Sequence, residues 1–399
     1  MMNLRILAVL ALSLCLGCEE AADKSGSNED GNTNSLPIKP SLSARFDYLL
    51  NYAVDSTAFP RSLEKNKEVR GVPSSDWTSG FFPGSLTYLY LLTGEDKYLA
   101  RAKAWVPYME KEQWNGRTHD MGFKVYSSVG KVNEITPERH YEEVLIQSAN
   151  TLMTRYNPVI GCTKSWDFGQ DKWQFPVIID NMLNLELFFQ ATRLTGDSSY
   201  HQAAVSHATQ TMRNHFRPDY SSYHVVDYDV ETGQPVQKIT HQGIHDESVW
   251  SRGQGWGLYG FTMVYRYTQD PIFLAQAEKI ANFIMTQDNL PEDKIFYWDM
   301  KDPNIPNAPR DASAAAVIAS GLFELDEYTT DERYATFAQQ IMESLDSEAY
   351  ILPTEMTVPF LLGHSTGNYP KDDEIDEPIA YADYYFLEAL YRSTPSGQK

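Results

Sequence analysis

Four short clusters in this 399-residue chain combine carboxylates with histidine, arginine or tryptophan: Asp76-Trp77-Thr78-Ser79, His119-Asp120, Asp180-Asn181, and Trp250-Ser251-Arg252 with Trp256. Such groups can move protons, stack on sugar rings and bind an anion. Each also has a plainer reading. Asp, Ser and Thr just before a helix are ordinary N-caps, and tryptophan packs in cores more often than it holds a ligand. Clustering with Trp and His favours chemistry, because a cap needs no aromatic neighbour. Two carboxylates divide acid and base work only if their surroundings separate their pKa values. Asp180 follows the apolar run Phe175 to Ile179, so burial should raise its pKa and keep it protonated. Trp77, Trp166, Trp173, Trp250 and Trp256 are candidate sugar platforms, with core packing expected for at least half of them.

The elements that must position these residues show in a phrase that recurs along the chain. Leu92-Thr93-Gly94 leads to Tyr98, Leu194-Thr195-Gly196 to Tyr200, Tyr267-Thr268 to Phe273, and Tyr328-Thr329 to Tyr334. Each reads as a helix stop, a polar turn and a restart anchored by an aromatic residue. Segments before the turns, such as Asp311 to Leu322, are small and apolar on all sides, as buried helices are. Segments after them, such as Glu95 to Glu110, Ser198 to His215 and Asp331 to Leu345, are amphipathic. Six inner candidates, near Trp77, Asp120, Asp180, Val249, Ala312 and Ile379, alternate with six outer ones near Ser43, Asp96, Glu138, Ser198, Pro271 and Asp331. The expected fold is therefore all-α, an (α/α)6 barrel of six helical hairpins over residues 41–395, with a short second inner helix near Gly122 to Lys131. The clusters fall at inner-helix starts, which a barrel gathers at one mouth. There, free N–H groups and helix dipoles suit an anionic ligand.

A formal net charge of -21 argues against nucleic acid as a partner, which needs a basic footprint. A polyanionic sugar must be captured by local cations or as a small fragment, since salt screens the remote field beyond roughly 8 Å. Arg5, the apolar run Ile6 to Leu16, Gly17 and Cys18 read as an export signal over residues 1–18, too short to span a membrane. A small residue before Cys18 fits lipidation of that cysteine, although Cys15 stands where an aliphatic residue is usual. Residues 19–40 read as a polar tether. The expected location is outside the cytoplasm, periplasmic or at the cell surface, anchored by lipid to a bacterial outer membrane. Cys162 is expected to be a buried or half-buried thiol without a structural role.

The strings Asp76-Trp-Thr-Ser-Gly-Phe-Phe-Pro-Gly84, His119-Asp-Met-Gly-Phe123, Ile179-Asp-Asn-Met-Leu-Asn-Leu185, Thr240-His-Gln-Gly243, Trp250-Ser-Arg-Gly-Gln-Gly-Trp256 and Asp383-Tyr-Tyr-Phe-Leu-Glu-Ala389 resemble the unsaturated glucuronyl hydrolases of glycoside hydrolase family 88. The resemblance runs from roughly Trp77 to Tyr391. It implies an (α/α)6 barrel and hydration of the C4–C5 double bond that a polysaccharide lyase leaves on a uronic acid, followed by ring opening and release of the aglycone. It implies that Asp180 is the general acid and base and Asp120 the second essential carboxylate. It places Trp166, His224, His241, Gln242, Arg252 and Trp256 around the unsaturated uronate, with Trp77 and His119 in the adjoining clusters. Arg252 suits a carboxylate because its planar fork donates two parallel hydrogen bonds. Ser365, Asn368 and Lys371 fall where related enzymes contact the next sugar, sometimes through sulfate, but the segment departs from the usual Ser and Lys spacing, leaving sulfate preference open.

His241 and His245 have a helical metal-ligand spacing, but Gly243 between them and the missing acidic partner argue against a metal; no cofactor is expected. The leading function is release of the unsaturated uronic acid from glycosaminoglycan oligosaccharides. The alternatives are the related hydrolysis of unsaturated galacturonyl-rhamnose from pectin and, in another class, a non-catalytic carbohydrate-binding lipoprotein, which would need the tryptophans but not the carboxylate pair.

Overall fold

Thr93 shows how each hairpin turns. Its hydroxyl donates back to the Leu89 carbonyl (2.7 Å) and accepts from the Glu95 N–H (3.2 Å), while Gly94 takes the left-handed conformation at φ 70° that ends the helix. Thr195 and Thr268 repeat both bonds, to Ala191 and Asp197 and to Val264 and Asp270. Asp197 and Asp270 then cap the next helices at Ser199 and Ile272. The fourth turn departs from the pattern: the Thr329 hydroxyl is buried without a partner. All four anchoring aromatics, Tyr98, Tyr200, Phe273 and Tyr334, are buried.

The computed structural model describes residues 38–397. The leader and residues 19–37 of the expected tether lie outside them. Lys39 and Pro40, at the end of that stretch, already belong to the folded domain: Lys39 pairs with Asp346 (3.3 Å) and Pro40 opens a short helix, Pro40–Ser43. Six inner helices, Phe81–Thr93, Gly122–Gly130, Asn181–Thr195, Ser251–Thr268, Ala312–Asp326 and Ala380–Arg392, each pack on the next, and the last returns to the first. The outer ring is Phe46–Asn51, Asp96–Glu110, Arg139–Met153, Ser198–Asn214, Pro271–Met285 and Arg333–Leu345. This is the (α/α)6 barrel expected from the repeated turns. None of the described helices is long and apolar enough to cross a membrane.

The second inner helix is a π-helix over Gly122–Gly130, continued by a short α-helix, Lys131–Ile135. Its looser winding is accommodated by partners outside the helix: the Phe123 N–H donates to Asn184 Oδ1 (3.0 Å). Gly80 and Gly84 let the first inner helix approach it. A Cβ on Gly80 would lie 2.2 Å from the Phe123 carbonyl oxygen, and one on Gly84 2.3 Å from that of Ser127. Since backbone on both sides must move, Gly80→Ala is expected to cost about 3 kcal/mol, read as a lower denaturation midpoint. An unchanged midpoint would show that this seam is not tight.

The two ends of the barrel differ. Turns from inner to outer helices are short, as from Thr93 to Asp96. At that end charged side chains knit the ring together: Arg266 donates to Glu324 (2.7 and 3.2 Å) and Glu186 (2.8 Å), and Glu388 accepts from Tyr88 (2.6 Å) and Ser320 (2.7 Å). Connections from outer to inner helices are long and carry small antiparallel sheets: Phe59–Leu63 with Val69–Val72; Pro176–Ile178, Val225–Tyr228 and Pro235–Ile239; and Ser365–Asn368 with Asp373–Glu377. An all-α reading of the barrel therefore omits the strands that build the mouth, where every inner helix begins.

Candidate active site

A cavity of about 490 Å³ opens at that mouth, and its walls include Trp77, His119, Asp120, Trp166, Asp180, His241, Gln242 and Lys371. With Asn368, nine of the residues singled out in the sequence thus converge, from five connections distant in the chain. Capping separates the carboxylates. Asp76 caps the first cluster, accepting from the Thr78 N–H and hydroxyl (2.9 and 2.7 Å), and its other oxygen pairs with Arg61 (2.9 Å). Asp311 caps the fifth inner helix at Ser313 and Ala314. Asp180 occupies the same kind of position before Asn181–Thr195, yet its side chain accepts no capping bond and Oδ2 is buried without a partner.

Burial therefore dominates Asp180, which is 7% exposed, and its pKa is pushed up to about 7. The Asp120 charge adds to the rise, while Arg252 and the Trp256 indole oppose it. Asp120 is anchored from its own segment, by the Thr118 hydroxyl and by His119 Nε2 at 3.2 Å. One carboxyl of the pair is thus held protonated up to about pH 7, beside another with polar partners.

Burial favours the neutral form of the three histidines around the pair. His224 Nδ1 accepts the backbone N–H groups of His241 and Gln242 (3.1 Å each), which fixes the tautomer with hydrogen on Nε2, 3.6 Å from Asp180 Oδ2. Burial lowers the pKa of His224 and of His119, and brings His241 down to about 4. Burial thus carries the three histidines away from neutrality and carries Asp180 toward it.

Four of the residues that the resemblance places at the substrate lie behind the cavity wall. His224 is buried between Trp250 and the Asp180 carboxylate. Trp256 is fully buried against Phe123 and Tyr385. Arg252 is 1% exposed, and its fork is occupied by Asp311 (2.6 Å), Ser313 (3.2 Å) and the carbonyls of Thr366 and Gly367 (2.7 Å each). Ser365 is fully buried at the start of the strand that Arg252 holds, whereas Asn368 at its end reaches the cavity. Of the candidate platforms, Trp77 and Trp166 face the cavity; Trp173, Trp250 and Trp256 are core. Cys162 is buried and its thiol pKa raised.

Several lining residues were not among the sequence candidates: Arg61, Arg70, Arg117, Thr118, Phe123, Phe168 and Tyr381. Thr118 and Arg117 adjoin the His119-Asp120 pair, and Phe168 lies two residues from Trp166; adjacency was the available signal.

Two helical rings, short turns at one end and a carboxylate-lined cavity at the other define the class, an (α/α)6-barrel glycoside hydrolase. A family model described as Glycosyl Hydrolase Family 88 matches residues 53–385, and the chain belongs to that family. It is 51% identical over 386 residues to an unsaturated glucuronyl hydrolase of Formosa agariphila, covering 96% of each chain. The structure also matches the crystal structure of an unsaturated glucuronyl hydrolase specific for heparin, with a TM-score of 0.85 and 44% identity over 88% of this chain and 94% of that one. A mutant unsaturated glucuronyl hydrolase from Streptococcus agalactiae, complexed with dGlcA-GalNAc6S, matches with a TM-score of 0.75 and 30% identity, covering 90% and 93%.

Proposed function

We propose that this enzyme removes the non-reducing-end 4,5-unsaturated uronic acid from lyase-generated glycosaminoglycan oligosaccharides by hydrating the C4–C5 double bond. The observation that carries the reading is Asp180: a buried carboxyl with no capping role, held protonated to about pH 7 at the floor of the cavity. Protonated Asp180 donates its proton to C4, and positive charge develops at C5. The resulting carboxylate accepts a proton from the water that adds to C5, so the group ends the cycle as it began. The hemiketal formed at C5 collapses, the ring opens and the aglycone leaves with its glycosidic oxygen. Asp120, fixed by Thr118 and His119, supplies negative charge beside the developing cation. No glycosyl–enzyme bond is formed.

The experiment is loss of the ultraviolet absorbance of the double bond, measured separately on unsaturated glycosaminoglycan disaccharides and on the unsaturated galacturonyl-rhamnose of pectin. Turnover of the first is expected. Turnover of the pectin fragment alone would replace the glycosaminoglycan reading, and binding of both without turnover would reduce the protein to a carbohydrate-binding module. The leader-like residues 1–18 support export with a lipid on Cys18. Retention of the wild type in the membrane fraction, and its release by Cys18→Ala, would test that anchor; equal solubility of the two proteins would dismiss it.

A further inference from the structure

Charges facing the cavity are unevenly paired. Four cationic side chains line it, Arg61, Arg70, Arg117 and Lys371. Arg61 is consumed by Glu374 (2.7 and 2.9 Å) and Asp76, and Arg70 by Asp373 (2.8 Å). Arg117 and Lys371 are exposed and, among the described residues, have no ion-pair or side-chain hydrogen-bond partner. In a chain of net charge -21, an unpaired arginine beside acidic catalytic groups marks a place where negative charge is expected to arrive.

Arg117 is held where it stands by a buried neighbour. Arg155, 8% exposed, donates to the Gly116 carbonyl (2.7 Å), to the Lys164 carbonyl (2.8 Å) and to the Asp167 carboxylate (2.9 and 3.2 Å). The His119 N–H adds a bond to the Ser165 carbonyl (3.2 Å). These bonds lock the segment bearing Arg117 and Asp120 to the loop bearing Trp166 and Phe168. Phe168 is 55% exposed; its ring stacks on Trp166 at 4.8 Å with 12° between planes, and His241 lies 5.8 Å away. An exposed aromatic continuing a cavity-lining indole is a platform for the apolar face of a sugar.

We propose that Arg117 and Phe168 form an outer binding position for the second sugar of the substrate, Phe168 stacking on its ring and Arg117 pairing with a sulfate ester or N-sulfo group on it. The proposal rests on the functional reading above. It adds a specificity residue on the Asp120 side of the cavity, apart from Lys371 on the Ser365–Asn368 side. Arg155 acts as the positioning residue for both.

The test compares unsaturated disaccharides that differ only in one sulfate on the hexosamine, followed by loss of the double bond. In Arg117→Gln the ratio of KM for the sulfated to the unsulfated disaccharide is expected to rise about tenfold, and about 0.5 M salt should produce the same rise in the wild type and little more in the variant. Phe168→Ala should raise KM for both substrates several-fold with kcat little changed, and Phe168→Tyr should restore it. Both side chains are exposed, so the variants are expected to fold; a thermal melt checks this. An unchanged KM ratio in folded Arg117→Gln, or a wild type that turns over only the unsulfated disaccharide, overturns the anion position while leaving the hydrolase reading intact. A wild type that turns over neither disaccharide overturns the hydrolase reading itself.

Discussion

Asp180→Asn is expected to lower kcat by about 10²–10⁴-fold with a much smaller change in KM, because the proton donor to C4 is lost while the cavity is preserved. The same substitution should not weaken the fold. Asp180 in the folded protein holds its proton to about pH 7, against an ordinary carboxyl value of 3.8. Below that ordinary value both states are protonated and burial is harmless. As pH rises from about 4 to about 7, the folded state holds a proton that the unfolded state has released, so stability falls through that window. An amide cannot ionise and escapes this loss. The variant should therefore match the wild type below about pH 4 and be more stable at pH 8, by up to a few kcal/mol. Parallel denaturation curves at the two pH values, alongside steady-state kinetics, read both effects. A variant that is inactive but also destabilised at both pH values would point to a structural role for Asp180.

Arg252→Met is expected to destabilise the protein by about 3–5 kcal/mol, since it leaves the fully buried Asp311 carboxylate without its counter-charge, the Thr366 carbonyl without this donor and the Gly367 carbonyl with Gln242 alone. The loss should reach the cavity, because Gly367 also accepts from Gln242 (3.1 Å) and lines the wall with Asn368; KM should rise several-fold in whatever fraction remains folded. Arg252→Lys keeps the charge but cannot span Asp311 and two carbonyls at once, so it should recover only part of the stability. Denaturant titration of the three proteins reads the first effect and KM the second. Full stability in Arg252→Met, with KM alone changed, would show that the guanidinium serves the substrate directly rather than the strand beside it.

Arg252 also shows where reading a sequence runs out. Its place at a helix start was visible in the Trp250 to Trp256 string, but the direction of its guanidinium depends on Asp311 and Gly367, which lie 59 and 115 residues away. The same holds for Ser365, which points into the core. The turns were legible because their bonds are local: Thr93, Thr195 and Thr268 each reach four residues back and two forward. Burial of Asp180 was legible because the apolar run before it is contiguous. The π-helix at Gly122 was not, because Asn184 and the glycines of the first inner helix accommodate it from elsewhere in the chain. Phe168 remained hidden because an exposed aromatic in a loop has no periodicity to mark it.

The most direct test of the central claim is the pH dependence of kcat/KM for an unsaturated glycosaminoglycan disaccharide, followed by loss of its double bond, in the wild type and in Asp180→Asn. Burial lowers His119, His224 and His241 from their ordinary value and raises Asp180 to about 7, so the descending limb should belong to Asp180. The wild type is expected to lose activity as pH rises through about 7, tending to tenfold per pH unit, and the residual rate of the variant should show no such limb. A wild-type profile flat from about pH 5 to 9, or a variant that keeps the same descending limb, would contradict the assignment of Asp180 as the proton donor.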